Sequence, residues 1–355
     1  MLAELLEIAR EVANANVVNY VQEIIMRSSN EEFYPAVLGL FKRGKSTLIN
    51  ALLSEEILPS EILPLTSMLT MVRYGERVSA KIVFQDGSVK DISPSQIQDY
   101  ITESGNPGNI MCVREAEIQA PSRILRNGVV IIDTPGVEST YLSNTKTTYE
   151  FMEKVDAALF VLGVDLPISQ QEVELIKHLK QYAAKIILVL NKIDYVDEAT
   201  LKEALGFCEK VVEDTLKFDS ITIFPTSAKM ALQERLSTDA SVLPISGIDR
   251  LEAILAELFS KGKGELILRS TANKALRALT DLCLTVELKI RTITMPMDEL
   301  DQALRTLEST LKSIESRKHE LLYLLDGEVK EVVSMLDQDL ENFKNEHEGH
   351  FVAAA

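Results

Sequence analysis

The residues with the clearest chemical potential form a loop near the N-terminus. The stretch from Gly39 to Ser46 reads Gly-Leu-Phe-Lys-Arg-Gly-Lys-Ser, and it follows a predicted strand and opens a predicted helix. In such a loop successive backbone N–H groups surround phosphate oxygens, and the helix directs its positive end at them. Lys45 is expected to reach the β- and γ-phosphates, and the Ser46 hydroxyl to bind Mg²⁺. The predicted phosphate-binding residues are Gly39, Lys42, Arg43, Gly44, Lys45, Ser46 and Thr47.

A second motif, Asp-Thr-Pro-Gly, begins at Asp133 after the apolar strand Val129–Ile132. A carboxylate at such a strand end suits a place in the Mg²⁺ shell, and the N–H of Gly136 is placed to meet a γ-phosphate. A Ras-like GTPase carries a water-orienting glutamine shortly after this motif, whereas here Val137 and Glu138 follow. Catalytic assistance must therefore come from another part of the chain.

Two later motifs predict the choice of base. In Asn191-Lys192-Ile-Asp194, the Asp194 carboxylate can accept hydrogen bonds from guanine N1–H and the exocyclic amine, a donor pair that adenine lacks. Asn191 is expected to tie this loop to the phosphate loop, and the Lys192 stem to cover the base. A backbone N–H at Ser227 or Ala228 is expected to meet guanine O6. The four motifs together predict binding of GTP and GDP with Mg²⁺.

The elements between these motifs predict an α/β fold. Residues 34–262 alternate short apolar strands with helical patterns, which indicates a P-loop GTPase domain with a mixed, mostly parallel sheet and flanking helices. Residues 69–92 interrupt this alternation with two antiparallel strand patterns and a hairpin turn at Asp86-Gly87.

Both chain ends predict helices. Residues 2–29 form one amphipathic pattern, and from Gly264 onward the pattern is entirely helical, with a break at Met295-Pro296-Met297. A heptad-like seam over residues 300–343 predicts a long helix that needs partners. We therefore expect a neck or stalk bundle from residues 1–33 and 263–355. The predicted inward face of the first C-terminal helix is Leu268, Ala272, Ala275, Leu279, Cys283, Val286, Ile290 and Ile293.

Charge and composition exclude other classes. The 37 Lys and Arg against 54 Asp and Glu give a formal charge of −17, which disfavours nucleic-acid binding. Segment 298–349, with 14 acidic and 6 basic residues, is a poor surface for anionic lipid. Three widely spaced cysteines predict a reducing, cytoplasmic compartment, and no apolar run approaches the ~20 residues that span a bilayer.

The succession of motifs resembles the dynamin superfamily, and within it the bacterial dynamin-like proteins related to mitofusins. The specific segments are Phe41–Thr47, Ile57–Ser60, Pro64–Thr66 and Val72–Gly75. The resemblance implies that Thr66 is the switch threonine that closes over Mg²⁺ and the γ-phosphate. It also implies that Lys42 occupies the place of an internal arginine finger in atlastin-type relatives. The expected catalytic residues are thus Lys42, Arg43, Lys45 and Thr66, and the expected Mg²⁺ residues are Ser46, Thr66 and Asp133.

The resemblance further implies a large mechanochemical GTPase that pairs two GTPase domains across the nucleotide. Hydrolysis would move the neck and remodel a membrane by fusion or fission. We expect a nucleotide-dependent homodimer, with higher oligomers or a paralogous partner as further assemblies, at the inner membrane face. Lipid contact would lie in a region absent from this chain, which we expect to be a truncated form of a longer protein. The alternative is a GTP-dependent switch acting on a protein partner.

Overall fold

The computed structural model describes residues 2–29, 32–59, 68–134, 151–165, 168–216, 222–237 and 246–294, with residues 302, 305–314 and 316–318. The chain divides into two compact units, residues 1–283 and 284–355. The predicted site residues Thr66 and Gly136 lie outside the described residues, as does most of the predicted seam at 300–343.

A mixed sheet forms the centre of the first unit. The strands within the described residues are β1 Pro35–Leu38, β2 Leu69–Tyr74, β3 Ser79–Phe84, β4 Val89–Ile92, β5 Val113–Ala120, β6 Ile131–Asp133, β7 Ala157–Gly163, β8 Lys185–Asn191 and β9 Ile223–Pro225. Their order in the sheet is β4-β3-β5-β2-β6-β1-β7-β8-β9. The five neighbouring strands from β6 to β9 in this order run parallel, and their near-continuous burial reflects helices on both faces.

Helices cover the sheet and extend from it. One apolar cluster joins the sheet to α3, α7 and α8, and a second joins its other face to α5 and α6. The predicted α/β fold is confirmed. The helices within the described residues are α1 Leu2–Glu11, α2 Ala15–Ser29, α3 Lys45–Leu53, α4 Gln98–Ile101, α5 Gln170–Leu179, α6 Glu198–Leu216, α7 Ala228–Leu236, α8 Ile248–Ser260 and α9 Lys263–Thr294.

The antiparallel part of the sheet differs from the prediction in one respect. The hairpin of β3 and β4 is confirmed, and Gly87 in its turn has a left-handed φ of +84° that favours glycine. However, β2 and β3 are not neighbours, because β5 lies between them, parallel to β2 and antiparallel to β3. The alternating burial along β5 fits a strand, but its charged outward residues hid it from the apolar pattern.

The N-terminal segment forms two helices where one was predicted. The chain turns at Ala13, with φ of +54°, and the side chain of Asn14 accepts a hydrogen bond from the Val17 N–H at 3.2 Å. This bond satisfies one of the amide groups that a helix start leaves unpaired, so α2 begins afresh. Helices α1 and α2 pack on α9 through buried side chains, which confirms a bundle built from both chain ends. These side chains are Leu5, Ala9, Val17, Val21, Ala275, Ala278 and Leu282.

The buried face of α9 is rotated from the predicted one. Leu266, Ala278 and Leu282 are buried, whereas Leu268 and Leu279 of the predicted inward face are exposed. The helix is apolar on more than one side, so spacing alone does not select a face. Among the described residues, no helix is both long and apolar enough to cross a bilayer. In the second unit, residues 305–314 and 316–318 are helical.

Candidate nucleotide-binding site

The phosphate loop joins β1 to α3 and contains two glycines that no other residue could replace without strain. Gly39 has φ of +148°, and a Cβ there would lie 2.5 Å from the backbone oxygen of Val161. Gly44 has φ of +87°, and a Cβ there would lie 2.4 Å from Nδ2 of Asn191. Both positions need positive φ and close approach of neighbouring backbone or side chain, which only glycine permits.

The Lys45 ammonium is held inside this loop. Its Nζ donates to the backbone oxygen of Leu40 at 3.0 Å, and its side chain is almost completely buried. Burial lowers the pKa of Lys45 to about 8, partly offset by the nearby Asp133 carboxylate. A buried ammonium with a single carbonyl partner is ready to exchange that partner for phosphate oxygens.

Ser46 and Asp133 meet beside the loop. The Ser46 hydroxyl donates to Oδ2 of Asp133 at 2.7 Å, and Asp133 is fully buried. Burial raises the pKa of Asp133 to about 6, although Ser46 and Lys45 act in the opposite direction. The other carboxylate oxygen, Oδ1, is buried and has no hydrogen-bond partner among the residues that the structure describes. A hydroxyl and a carboxylate with spare acceptor capacity fit the hard oxygen coordination of Mg²⁺, with phosphate and water completing it.

The two cations preceding Gly44 differ in their surroundings. Lys42 is exposed with a left-handed φ of +63°, and its Nζ lies 5.5 Å from the Phe41 ring centre. Arg43 is buried, and its Nε and Nη2 donate to the two carboxylate oxygens of Glu172 at 3.0 and 3.2 Å. Its guanidinium therefore has a protein partner, and the phosphate contact expected for Arg43 from the sequence stays a prediction.

Asn191 connects three loops at the carboxyl edge of the sheet. Its Nδ2 donates to the backbone oxygen of Arg43 at 2.9 Å, and its Oδ1 accepts from the Ala228 N–H at 2.9 Å. The structure thus brings the phosphate loop, the loop after β8 and the start of α7 together. The Ala228 N–H predicted for guanine O6 is donated to Asn191 in this arrangement.

The side chains predicted to recognise the base lie next to Asn191. Asp194 is exposed, and its Oδ1 accepts from the Ser227 hydroxyl at 2.6 Å, while Ser227 also caps α7. Lys192 has a left-handed φ of +69° and donates to Oδ2 of Asp165 at 2.8 Å. The carboxylate and lysine are therefore positioned together, with Asp194 open to solvent.

Three residues at the site were not predicted from the sequence. Glu172 and Asp165 surround Arg43, and Thr70 lies directly opposite Asp133 in the β2–β6 pairing. Within the described part of the chain, the Thr70 hydroxyl is buried without a hydrogen-bond partner, like Oδ1 of Asp133. For Glu172 the sequence does carry a signal, because Ser169 and Glu172 form a capping box. A capping box marks the start of a helix, however, and does not indicate that Glu172 pairs with Arg43.

Comparison with known proteins places these features in a family. The sequence model of the Dynamin family matches residues 36–193. The chain is 34% identical to an uncharacterized protein in the xynA 3′ region of Caldicellulosiruptor sp., over 97% of this chain and 85% of that protein. It is 25% identical to Dynamin-like protein 1 of Campylobacter jejuni, over 81% of this chain and 46% of that protein.

A further relative is a probable chloroplastic transmembrane GTPase, FZO-like, of Arabidopsis thaliana, 30% identical over 63% of this chain and 22% of that protein. The chain thus spans less than half of these two named relatives. The fold is similar to a chain from an oligomerised bacterial dynamin pair, with a TM-score of 0.53 and 21% identity, covering 94% of this chain and 52% of that one.

Proposed function

The chain belongs to the dynamin superfamily as a bacterial dynamin-like GTPase, and from that premise we propose that it binds GTP with Mg²⁺ and hydrolyses it to drive membrane remodelling. The observation that carries the proposal is the double hydrogen bond of Asn191, which joins the phosphate loop to both base-recognition loops. Such a junction holds phosphates and base at a fixed separation.

The proposed residue roles are supported by the positions of the described residues and by the sequence motifs. Lys45 would exchange the Leu40 carbonyl for β- and γ-phosphate oxygens, while Ser46 and Asp133 would hold Mg²⁺. When bound, Mg²⁺ neutralises phosphate charge that develops during transfer. Asp194 would accept hydrogen bonds from guanine, and the sequence motifs assign Thr66 and the Gly136 N–H, which lie outside the described residues, to the γ-phosphate. Each of these assignments is a proposal supported by the positions or motifs of the residues.

Hydrolysis is proposed to need a second GTPase domain. The residues directly after Gly136 are Val137 and Glu138 and include no glutamine, and Lys42 is exposed on the rim of the phosphate loop. A second domain that packs over the nucleotide would remove Lys42 from solvent and strengthen its attraction to developing phosphate charge. Such an interface would bury on the order of 1,200–2,000 Å² in total.

The test compares turnover and assembly at increasing protein concentration. Specific GTPase activity should rise with concentration, and sedimentation with a transition-state mimic should show a dimer that the GDP form lacks. ATP should not be hydrolysed. A monomer under every nucleotide condition, with concentration-independent turnover, would favour the alternative of a switch acting on a protein partner.

The membrane role is proposed to depend on segments outside this chain. The net charge of −8 over residues 298–349 opposes direct binding to anionic lipid, so the neck would transmit movement and leave lipid contact to other segments. We propose action at the inner membrane face, as a homodimer or with a paralogous dynamin-like partner. Liposome sedimentation of this chain beside a longer dynamin-like relative tests this, and equal binding by both would contradict it.

A further inference from the structure

A buried ion pair connects Arg43 of the phosphate loop to Glu172 in the first turn of α5. Arg43 and Glu172 are 129 residues apart in sequence, and their side chains are 4% and 0% exposed. The two contacts at 3.0 and 3.2 Å use both carboxylate oxygens. Oε2 of Glu172 also accepts hydrogen bonds from the backbone N–H and the hydroxyl of Ser169, at the start of α5. Both oxygens of this buried carboxylate therefore have hydrogen-bond donors.

The backbone of Arg43 is held at the same time as its side chain. The carbonyl oxygen accepts from Nδ2 of Asn191 at 2.9 Å, while the guanidinium is fixed by Glu172. The flanking residues, Lys42 and Gly44, both have left-handed φ values. A non-glycine residue such as Lys42 is strained in that region and persists there only where its surroundings enforce it. The two anchors on Arg43 supply that enforcement.

The same guanidinium extends toward the base loop. Its Nη1 lies 3.6 Å from Oδ1 of Asp165, whose Oδ2 accepts from Lys192 at 2.8 Å. Gly163 makes room for this path, because a Cβ there would lie 2.8 Å from Nη1 of Arg43 and 2.3 Å from Oδ1 of Asp165. Charged side chains therefore connect the phosphate loop with the loop that carries Asp194.

We propose that Arg43 is a positioning residue of the GTP site: paired with Glu172, it holds the phosphate loop in its nucleotide-binding conformation. The inference rests on the proposed GTP-binding function. It is an alternative to the catalytic role expected for Arg43, because Glu172 holds Nε and Nη2 of the guanidinium in place within the loop. Loss of the pair should weaken GTP and GDP alike, since both need the same loop.

The experiment is a double-mutant cycle with Arg43→Met, Glu172→Met and the double variant. The Kd for fluorescent GTP and GDP and the kcat at saturating GTP are measured well below the melting temperature. Each single change should weaken both nucleotides by about tenfold with kcat within about twofold of wild type. The double variant should be no weaker than the worse single, because both changes remove one interaction.

The design separates this inference from misfolding. The double variant carries no unpaired buried charge, and Arg43→Lys retains the charge while losing the two-point contact. Arg235→Met is the matched control, because Arg235 pairs with Glu252 at 2.6 Å outside the nucleotide site and should leave both affinities unchanged.

Three results would overturn the inference. The first is wild-type affinity in Glu172→Met or in the double variant. The second is a loss of kcat in Arg43→Met that Glu172→Met does not share, which would make the guanidinium catalytic. The third is multiplication of the two single effects in the double variant. Failure of the wild-type protein to bind GTP would instead refute the proposed function.

Discussion

Replacing Asp133 by asparagine should stabilise the nucleotide-free protein while weakening its Mg²⁺-dependent nucleotide binding. Asp133 is fully buried, and none of the described residues forms a hydrogen bond with its Oδ1. Burial raises its pKa from 3.8 to about 6. A raised pKa in the folded state means that the folded protein holds the proton more tightly than the unfolded chain. The stability from this proton is complete below pH 3.8 and is lost as the pH rises through 6.

The size of the effect follows from the two pKa values. The distance from 3.8 to about 6, at about 1.4 kcal/mol per pH unit, corresponds to about 3 kcal/mol of stability lost at neutral pH. Asparagine cannot ionise and retains this stability at every pH. Asp133→Asn should therefore raise the free energy of unfolding by about 2–3 kcal/mol at pH 7.5, and by about 1 kcal/mol less at pH 5.

The assay is urea unfolding followed by circular dichroism, without Mg²⁺ or nucleotide, at pH 5 and pH 7.5. Asp156→Asn is the control, because that buried carboxylate accepts from Lys274 at 2.6 Å and from the Tyr34 N–H at 3.0 Å. Removing its charge leaves the buried Lys274 ammonium without its carboxylate, with the Lys154 carbonyl as the remaining partner, and should destabilise the protein by about 3–5 kcal/mol. Binding of GDP with Mg²⁺ to Asp133→Asn should fall at least tenfold.

Two results would refute this reasoning about Asp133. If the asparagine variant is less stable than wild type at pH 7.5, the ionised carboxylate is stabilised by its surroundings and its burial carries no penalty. If the gain is equal at pH 5 and pH 7.5, it does not come from ionisation. Either result would contradict the proposal that the folded protein retains a destabilising buried carboxylate at this position because Mg²⁺ requires it.

Further predictions concern single residues of the site. Lys45→Ala should abolish nucleotide binding or turnover while circular dichroism stays unchanged, and a loss of helicity would show a structural role. Asp194→Asn should weaken GTP and favour xanthosine triphosphate, because the acceptor facing the base becomes partly a donor; GTP binding like that of wild type would contradict the assignment. Lys42→Ala should lower kcat more than it weakens GTP binding, as expected for a contact made mainly in the transition state. Steady-state kinetics and a binding titration measure the two effects, and a larger loss of binding than of kcat would contradict this role.

Local patterns predicted much of the fold and the class of site. The phosphate loop is recognisable because the motif places a glycine, four variable residues and then Gly-Lys-Ser within eight consecutive positions. The parallel strands were recognisable because a sheet covered on both faces requires unbroken apolar runs, as in β7 and β8. These requirements act between near neighbours in the chain, so they are written directly in the sequence.

Contacts between distant residues decided the rest. Strand β5 lies between β2 and β3, and the pattern of a single strand does not say which other strands become its neighbours in the sheet. The apolar pattern of α9 is compatible with more than one buried face, and packing against α1 and α2 selects one of them. The partner of Arg43 is 129 residues away, at a capping box that by itself marks a helix start. The sequence by itself determined which groups could bind phosphate, Mg²⁺ and guanine. The tertiary structure alone decided that Arg43 faces a buried carboxylate, because only folding brings two such charges within hydrogen-bonding distance.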